Sequence, residues 1–226
     1  GTGSVNPVGN NSEEFWTSLI NGTSGISSID IFDVSDYTTR IAGFVKDFDP
    51  SEFFEKKEIR RTSKFILYGV AAAHEAVKMS GIEVSKDPYS VGVEIGSGIG
   101  GIEVLEQMAH TLKEKGPSRV SPFTVPMMIC DMASGKIAIE FGAKGHNACS
   151  VTACASAAHA MSNSFHLIKQ GKAKIMITGG AESAISPLGL ASFCAARSLS
   201  TQNDSPELAS KPFDKNRDGF VMGEGA

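Results

Sequence analysis

The stretch Asn147-Ala-Cys-Ser-Val-Thr-Ala-Cys-Ala-Ser156 decides how this chain is read. Ala148 to Val151 has the composition of a short buried strand. Ala155 to Gln170 follows with helical spacing, since Ala158, Met161, Phe165 and Ile168 fall three, four and three residues apart on one face. Cys154 stands at the break between the two. Unpaired backbone N–H groups and the positive end of the helix dipole at such a break favour thiolate over thiol. The small neighbours Ala153, Ala155 and Ser156 leave room for an acyl group to reach the sulfur. Placement offers a nucleophile, while the other reading of a free cysteine is a small buried hydrophobe. Cys130, Cys149 and Cys194 lack comparable placement and read as packing residues. No CxxC pair occurs, and the Cys149–Cys154 spacing has no further cysteine or histidine at ligand distance, so no metal site is expected.

Composition narrows the class. With 226 residues, 41% hydrophobic and 20% charged, the chain can bury a sizeable core without disulfides. Four unevenly spaced cysteines suggest a reducing compartment. A net charge of −4 and the absence of a long basic stripe argue against nucleic-acid binding. No apolar run approaches the roughly 20 residues of a membrane span, and no signal peptide is apparent. The expected setting is cytoplasmic.

Outward from the cysteine, strands and helices alternate. Asn11 caps a helix running to about Ile20. Residues 23–52 look irregular, with strand-like pieces such as Arg40 to Val45. Lys64 to Ser80 reads as a helix that Gly81 ends. Ser90 to Ile95 reads as a strand, Ile102 to Glu114 as a helix, and Pro126 to Phe141 as one further helix. Beyond the cysteine come a strand at Lys174 to Thr178, a short helix at Pro187 to Ala195 and a polar loop at Pro206 to Arg217. This alternation points to a layered α/β fold with a mixed sheet. Phe220-Val-Met-Gly-Glu-Gly-Ala226 is a strand signal without a terminal loop, and Gly1-Thr-Gly3 looks like the turn after a missing strand. Both ends read as cut.

Gly96-Ser-Gly-Ile-Gly-Gly101 fits the G-x-G-x-x-G pattern of dinucleotide sites, after a strand and before a helix. The acidic residue that should end the next strand, about 20 residues on, has no counterpart in Lys115-Gly-Pro-Ser-Arg-Val-Ser-Pro122. The glycines are better explained by close backbone approach beside a pocket.

The block Val151-Thr-Ala-Cys-Ala-Ser156, with His159 beyond it, resembles the nucleophile motif of β-ketoacyl-[acyl-carrier-protein] synthases, most closely the elongating type II branch. Asn6-Pro-Val-Gly9, Ser24-Gly-Ile26, Gly96 to Gly101, Ser121-Pro-Phe123, Thr178-Gly-Gly-Ala-Glu182, Arg197 to Asp204 and Lys211 to Ala226 agree in order. The resemblance covers the whole of residues 1–226 and implies a thiolase-like α/β/α fold of two similar halves, of which this is the first. It also implies a homodimer whose cysteine takes an acyl group from acyl-carrier protein and condenses it with a decarboxylated malonyl group. No resident cofactor is implied, because the phosphopantetheine arm arrives on the carrier. The two histidines that assist decarboxylation belong to the second half. His159 is not one of them, since five residues along a helix turn it about 140° from the cysteine. His146 falls where relatives usually carry proline.

By the same resemblance the acyl chain lies along Ile99, Ala153, Gly189 and Phe193. Thr124 stands at the pocket boundary, where many relatives carry phenylalanine. The Cys154 N–H is the expected oxyanion donor. Lys56, Lys57, Arg60, Arg61 and Lys64 form a basic cluster. It reads either as a solvated helix start or, by resemblance at Lys57, Arg60 and Arg61, as a docking patch for an acidic carrier protein. The competing readings are a thiolase-type coenzyme A enzyme and a non-catalytic half or partner subunit.

Overall fold

The computed structural model covers residues 1–226. Helix α1 (Ser12–Ile20) begins where the Asn11 side chain accepts the Glu14 N–H, as its sequence predicts. The irregular stretch after it contains the antiparallel pair β1 (Ser27–Ser28) and β2 (Ile41–Ala42). A single-turn helix, α2 (Lys56–Ile59), leads into α3 (Lys64–Ser80), and Gly81 ends α3 in the left-handed conformation.

The centre is a three-stranded parallel sheet in the order β4-β3-β5, built from β3 (Val91–Gly96), β4 (Asn147–Ala148) and β5 (Ile175–Gly180). Both pairings within this sheet are parallel, an isolated antiparallel bridge between Glu182 and Gly225 lies just past β5, and the antiparallel β1–β2 pair forms a separate sheet. Between β3 and β4 run α4 (Ile102–Lys115), α5 (Thr124–Met128) and α6 (Met132–Phe141). Helix α7 (Ser156–Lys169) joins β4 to β5, and α8 (Pro187–Ala195) follows.

Alternation along β3 sorts the layers. Val93 and Ile95 enter the main core with Phe65 and Val70 of α3, Ala133 and Ile137 of α6, and Ile177 of β5. Glu94 and Gly96 face α7, where Asn163 donates to Glu94 Oε1 at 2.9 Å. Helix α7 can lie this close because the sheet presents no side chain beneath its first turn. A Cβ on Gly96 would stand 2.3 Å from the Ser156 backbone, and one on Gly180 would stand 2.5 Å from the Ala157 Cβ. A smaller core gathers Phe44, Ile185, Leu190, Leu199 and Met222 around α8.

Three expectations change. The helix predicted over 126–141 breaks at Ile129–Asp131, because the Met128 carbonyl accepts the Gly101 N–H instead of continuing the helical ladder. The strand predicted over 148–151 pairs only at Asn147–Ala148. One further bond, Ser97 N–H to the Ser150 carbonyl, extends the contact before the segment after β3 turns away into its glycine loop. The strand signal over 220–226 becomes three isolated bridges, because Phe220, Gly223 and Gly225 each meet a different neighbour, Leu199, Gly43 and Glu182.

The apolar stripe of α7 points outward. Met161, Phe165 and Ile168 are 50%, 61% and 45% exposed, while Ser156, Ala160 and Ser164 form the buried face. Size selects the inward residues here, not hydrophobicity.

Candidate active site

Cys154 sits on a backbone elbow. Ala153 has φ of 53°, a left-handed conformation that costs a non-glycine residue about 1–2 kcal/mol. The strain is held by Ser156. Its hydroxyl accepts the Thr152 N–H at 2.9 Å and donates to the Ala153 carbonyl at 2.7 Å, while its N–H also donates to that carbonyl. The effect is to turn the cysteine outward at the mouth of α7, one residue ahead of the Ala155 cap. Cys154 is exposed, and its N–H donates to no group of the chain, which leaves it free for an oxyanion. The Ser156 contribution was not anticipated from the sequence, where it reads as a small neighbour. The signal available was a serine two residues past Cys154, at the head of a helix.

The cysteine opens into a cavity of about 610 Å³. Its walls come from the Gly96–Ile99 loop, the Ala153–Ala157 elbow, the Gly180–Ala184 segment, Phe193 of α8 and the Phe220–Ala226 segment. Phe193 and Phe220 meet edge to face at 5.5 Å between ring centroids. Ile99, Ala153 and Phe193 line this space with Cys154. Thr124 and Gly189 do not. Thr124 starts α5 and its hydroxyl donates to the Ser121 carbonyl at 2.7 Å, while Gly189 is buried in the first turn of α8, its N–H donating to Ser186.

Glu182 explains why the glycine loop is no phosphate cradle. Its Oε2 accepts the Gly98 N–H at 2.6 Å and the Ile99 N–H at 3.2 Å, and its Oε1 accepts the Ser97 hydroxyl at 3.3 Å. The donors that would hold a dinucleotide's phosphates are already taken by the chain's own carboxylate. Burial pushes this carboxyl upward, against the opposing effect of the loop N–H groups.

Cys149 and Cys130 are poorly suited to chemistry. Burial pushes the Cys149 thiol up to about 11 and raises Cys130 as well. No histidine lines the cavity. His159 Nδ1 lies 2.7 Å from the Thr152 hydroxyl, so it braces the elbow from outside, and His74 pairs with Glu140 at 3.0 Å. His146 Nε2 stands 3.4 Å from Oε2 of the buried Glu94, beside a second cavity of about 380 Å³ that His166 also lines. No cluster of His, Cys, Asp or Glu suits a metal ion.

Lys57, Arg60 and Arg61 are exposed around the α2 turn, together with Lys56 and Lys64. None of these cations is in an ion pair. The acidic residue among them, Glu58, is drawn off by Lys136 at 2.8 Å, which leaves the cluster's charge uncompensated. Arg61 lies over the Phe123 ring, 4.3 Å from its centroid.

Comparison with known proteins agrees with this architecture. A family model described as the N-terminal domain of beta-ketoacyl synthase matches residues 1–226. The chain is 48% identical over its full length to the 3-oxoacyl-[acyl-carrier-protein] synthase 2 of Synechocystis sp., and 44% identical to that of Staphylococcus aureus. It spans about half the length of these curated relatives, 55% and 56%. Among solved structures, a beta-ketoacyl synthase from Burkholderia phymatum superposes with a TM-score of 0.87 at 27% identity, over all of this chain and 56% of that one. A ketosynthase of a type II polyketide system, solved with its acyl-carrier protein, gives 0.86 at 25% identity, over all of this chain and 55% of that one. With an outward cysteine on a strained elbow, a sheet that admits its helix only through glycine, and a family model matching from the first residue to the last, the chain belongs to the beta-ketoacyl synthase family, as its N-terminal domain.

Proposed function

We propose that this domain supplies the acyl-accepting part of a 3-oxoacyl-[acyl-carrier-protein] synthase acting in fatty-acid elongation. The observation that carries the reading is Cys154, exposed on the Ala153 elbow at the edge of a cavity of about 610 Å³. The cysteine sulfur adds to the carbonyl carbon of an acyl thioester, with the Cys154 N–H facing the developing oxyanion. The bond to the carrier's phosphopantetheine sulfur then breaks, and that sulfur leaves as a thiol carrying the proton given up by Cys154. Malonyl-carrier protein next loses carbon dioxide. The carbanion attacks the Cys154 thioester, forming a carbon–carbon bond and releasing the cysteine. The family resemblance puts the two histidines that assist decarboxylation in the other half of the enzyme, and none of the five histidines of residues 1–226 lines the cavity. In this reading the chain is the first of two thiolase-like halves, and no resident cofactor is needed.

Ile99, Ala153 and Phe193 form the wall for the fatty chain. Acyl-carrier protein, an acidic partner, docks at Lys57, Arg60 and Arg61. Complementary charge there mainly speeds encounter. Two copies assemble through the open edge of β4 and the outward Met161, Phe165 and Ile168 of α7, an apolar face that a monomer would leave in water. No helix is long and apolar enough to cross a membrane, and the proposed setting is the cytoplasm. The test is to incubate the full-length enzyme with acyl-carrier protein bearing a defined acyl group and to map the added mass. The acyl group is expected on the peptide containing Cys154, and labelling of Cys149 or Cys194 instead would refute the assignment.

A further inference from the structure

Glu182 occupies a position that the chemistry of acyl transfer does not require. It touches neither Cys154 nor any proton that must move, yet it ties together two walls of the cavity. Its backbone exchanges a pair of hydrogen bonds with Gly225, both 2.9 Å, on the Phe220–Ala226 side. Its carboxylate crosses to the opposite wall and collects the Gly98 and Ile99 N–H groups and the Ser97 hydroxyl. The Ser97 hydroxyl in turn accepts the Gly100 N–H at 3.2 Å, so the N–H groups of Gly98, Ile99 and Gly100 are held by the Glu182 side chain, directly or through Ser97. No other side chain accepts a hydrogen bond from the Gly98 or Ile99 N–H.

Ile99 is the side chain this arrangement holds. It lines the cavity with Ala153 and Phe193 while remaining 38% exposed. A half-exposed isoleucine next to an apolar space is driven to bury itself there. Its backbone N–H is tethered to Glu182 Oε2 at 3.2 Å. We propose that Glu182 is a positioning residue for acyl-chain selection: by tethering the Gly98–Ile99 backbone it holds Ile99 back from the cavity, and thereby keeps the space open to long acyl chains. The inference rests on the reading of Cys154 as acyl acceptor and adds to it a residue that decides which acyl groups fit.

Glu182→Gln tests this in the full-length enzyme. The amide keeps the side chain's shape but offers one acceptor oxygen where the carboxylate offers two, and it turns an N–H₂ toward the loop's donors. The released turn lets Ile99 fall inward. Acylation of Cys154 by a long-chain carrier thioester relative to a short-chain one is expected to drop at least tenfold. The loss should appear in KM for the long chain, with kcat for the short chain retained. Both substrates use the same sulfur, so their ratio is insensitive to changes in the cysteine itself. Amide hydrogen exchange at Gly98 and Ile99 should speed up in the same variant, a readout that needs no activity. Ile99→Ala removes the group that falls inward, and in that background Glu182→Gln should leave the ratio unchanged. An equal loss for both chain lengths, or a ratio that drops equally with and without Ile99, overturns the proposal. Unchanged exchange at Gly98 and Ile99 overturns it as well, whether or not the enzyme is active. If the parent enzyme takes no acyl group on Cys154 while exchange responds as expected, the functional reading fails and the tether remains.

Discussion

The Ser156 hydroxyl donates to the Ala153 carbonyl at 2.7 Å and so fastens the residue before Cys154 in a left-handed conformation. It simultaneously accepts the Thr152 N–H, which makes one buried side chain responsible for both sides of the elbow. Strained backbone at a functional site persists only where its surroundings over-determine it. Ser156→Ala removes both bonds and is expected to cost about 1–2 kcal/mol of stability. Denaturant unfolding of the full-length protein measures that, and acyl transfer to Cys154 should slow beyond what the stability loss explains.

Cysteine labelling should be selective. At pH 7, a thiol pushed up to about 11, as Cys149 is, exists as thiolate in only about one molecule in ten thousand. Cys130 is raised in the same direction by burial. Iodoacetamide at neutral pH is expected to modify exposed Cys154 first, with Cys149 at least about a hundredfold slower, because only the thiolate reacts. Peptide mapping over a time course reads the order directly.

The buried Glu224 carboxylate accepts the Val45 N–H at 3.0 Å, the Tyr68 hydroxyl at 3.2 Å and the Ser183 hydroxyl at 2.8 Å. Burial, and then the charge of Glu224, hold the Tyr68 phenol well above its ordinary range. The unfolded chain ionises this tyrosine near pH 10. A group whose folded pKa is raised contributes stability that is complete below its unfolded value and declines as pH climbs beyond it. Stability is therefore expected to fall above about pH 10. Tyr68→Phe should flatten that alkaline decline while costing about 1–2 kcal/mol at neutral pH. Denaturation midpoints from pH 7 upward separate the two effects.

Charge reversal at Lys57 and Arg60 should raise the apparent KM for acyl-carrier protein several-fold at low salt and leave a small acyl thioester nearly unaffected. The difference between variants should fade as salt screens the patch. Arg61 is best tested apart, because it stacks over Phe123 and its loss also removes that contact. Steady-state kinetics with both substrates across ionic strengths decide between docking and a merely solvated turn.

Much of this architecture is legible in the sequence because local rules and tertiary context agree. Helix α3 begins and ends at Lys64 and Ser80 as its periodicity and Gly81 indicate, and α8 matches its predicted bounds. The placement of Cys154 between a strand and a helix is legible in the same way, and the structure puts it exposed on the elbow before α7. What stays hidden depends on partners far along the chain. The break between α5 and α6 is made by Gly101, whose N–H takes the Met128 carbonyl, and no residue near 129 announces it. Glu182 lies 84 residues beyond Gly98, so its grip on the glycine loop has no local signature. Periodicity correctly groups Met161, Phe165 and Ile168 on one face of α7, but not the direction that face takes, because what the sheet admits is decided by Gly96 and Gly180.

Helix α7 thereby carries two different kinds of mutational memory. Toward the sheet, where a methyl group at Gly96 or Gly180 already collides with backbone or Cβ atoms, the constraint at Ala160 and Ser164 is one of volume, while Ser156 is fixed in addition by the two hydroxyl bonds of the elbow. On the opposite side, around Phe165, the side chains are exposed, and the pairing of two copies proposed above would make polarity the constraint there. A saturation scan along this one helix would therefore sort its tolerated substitutions by size at Ala160 and Ser164 and by hydropathy at Met161 and Phe165, reversing the usual equation of the inside with the oily and the outside with the small and polar.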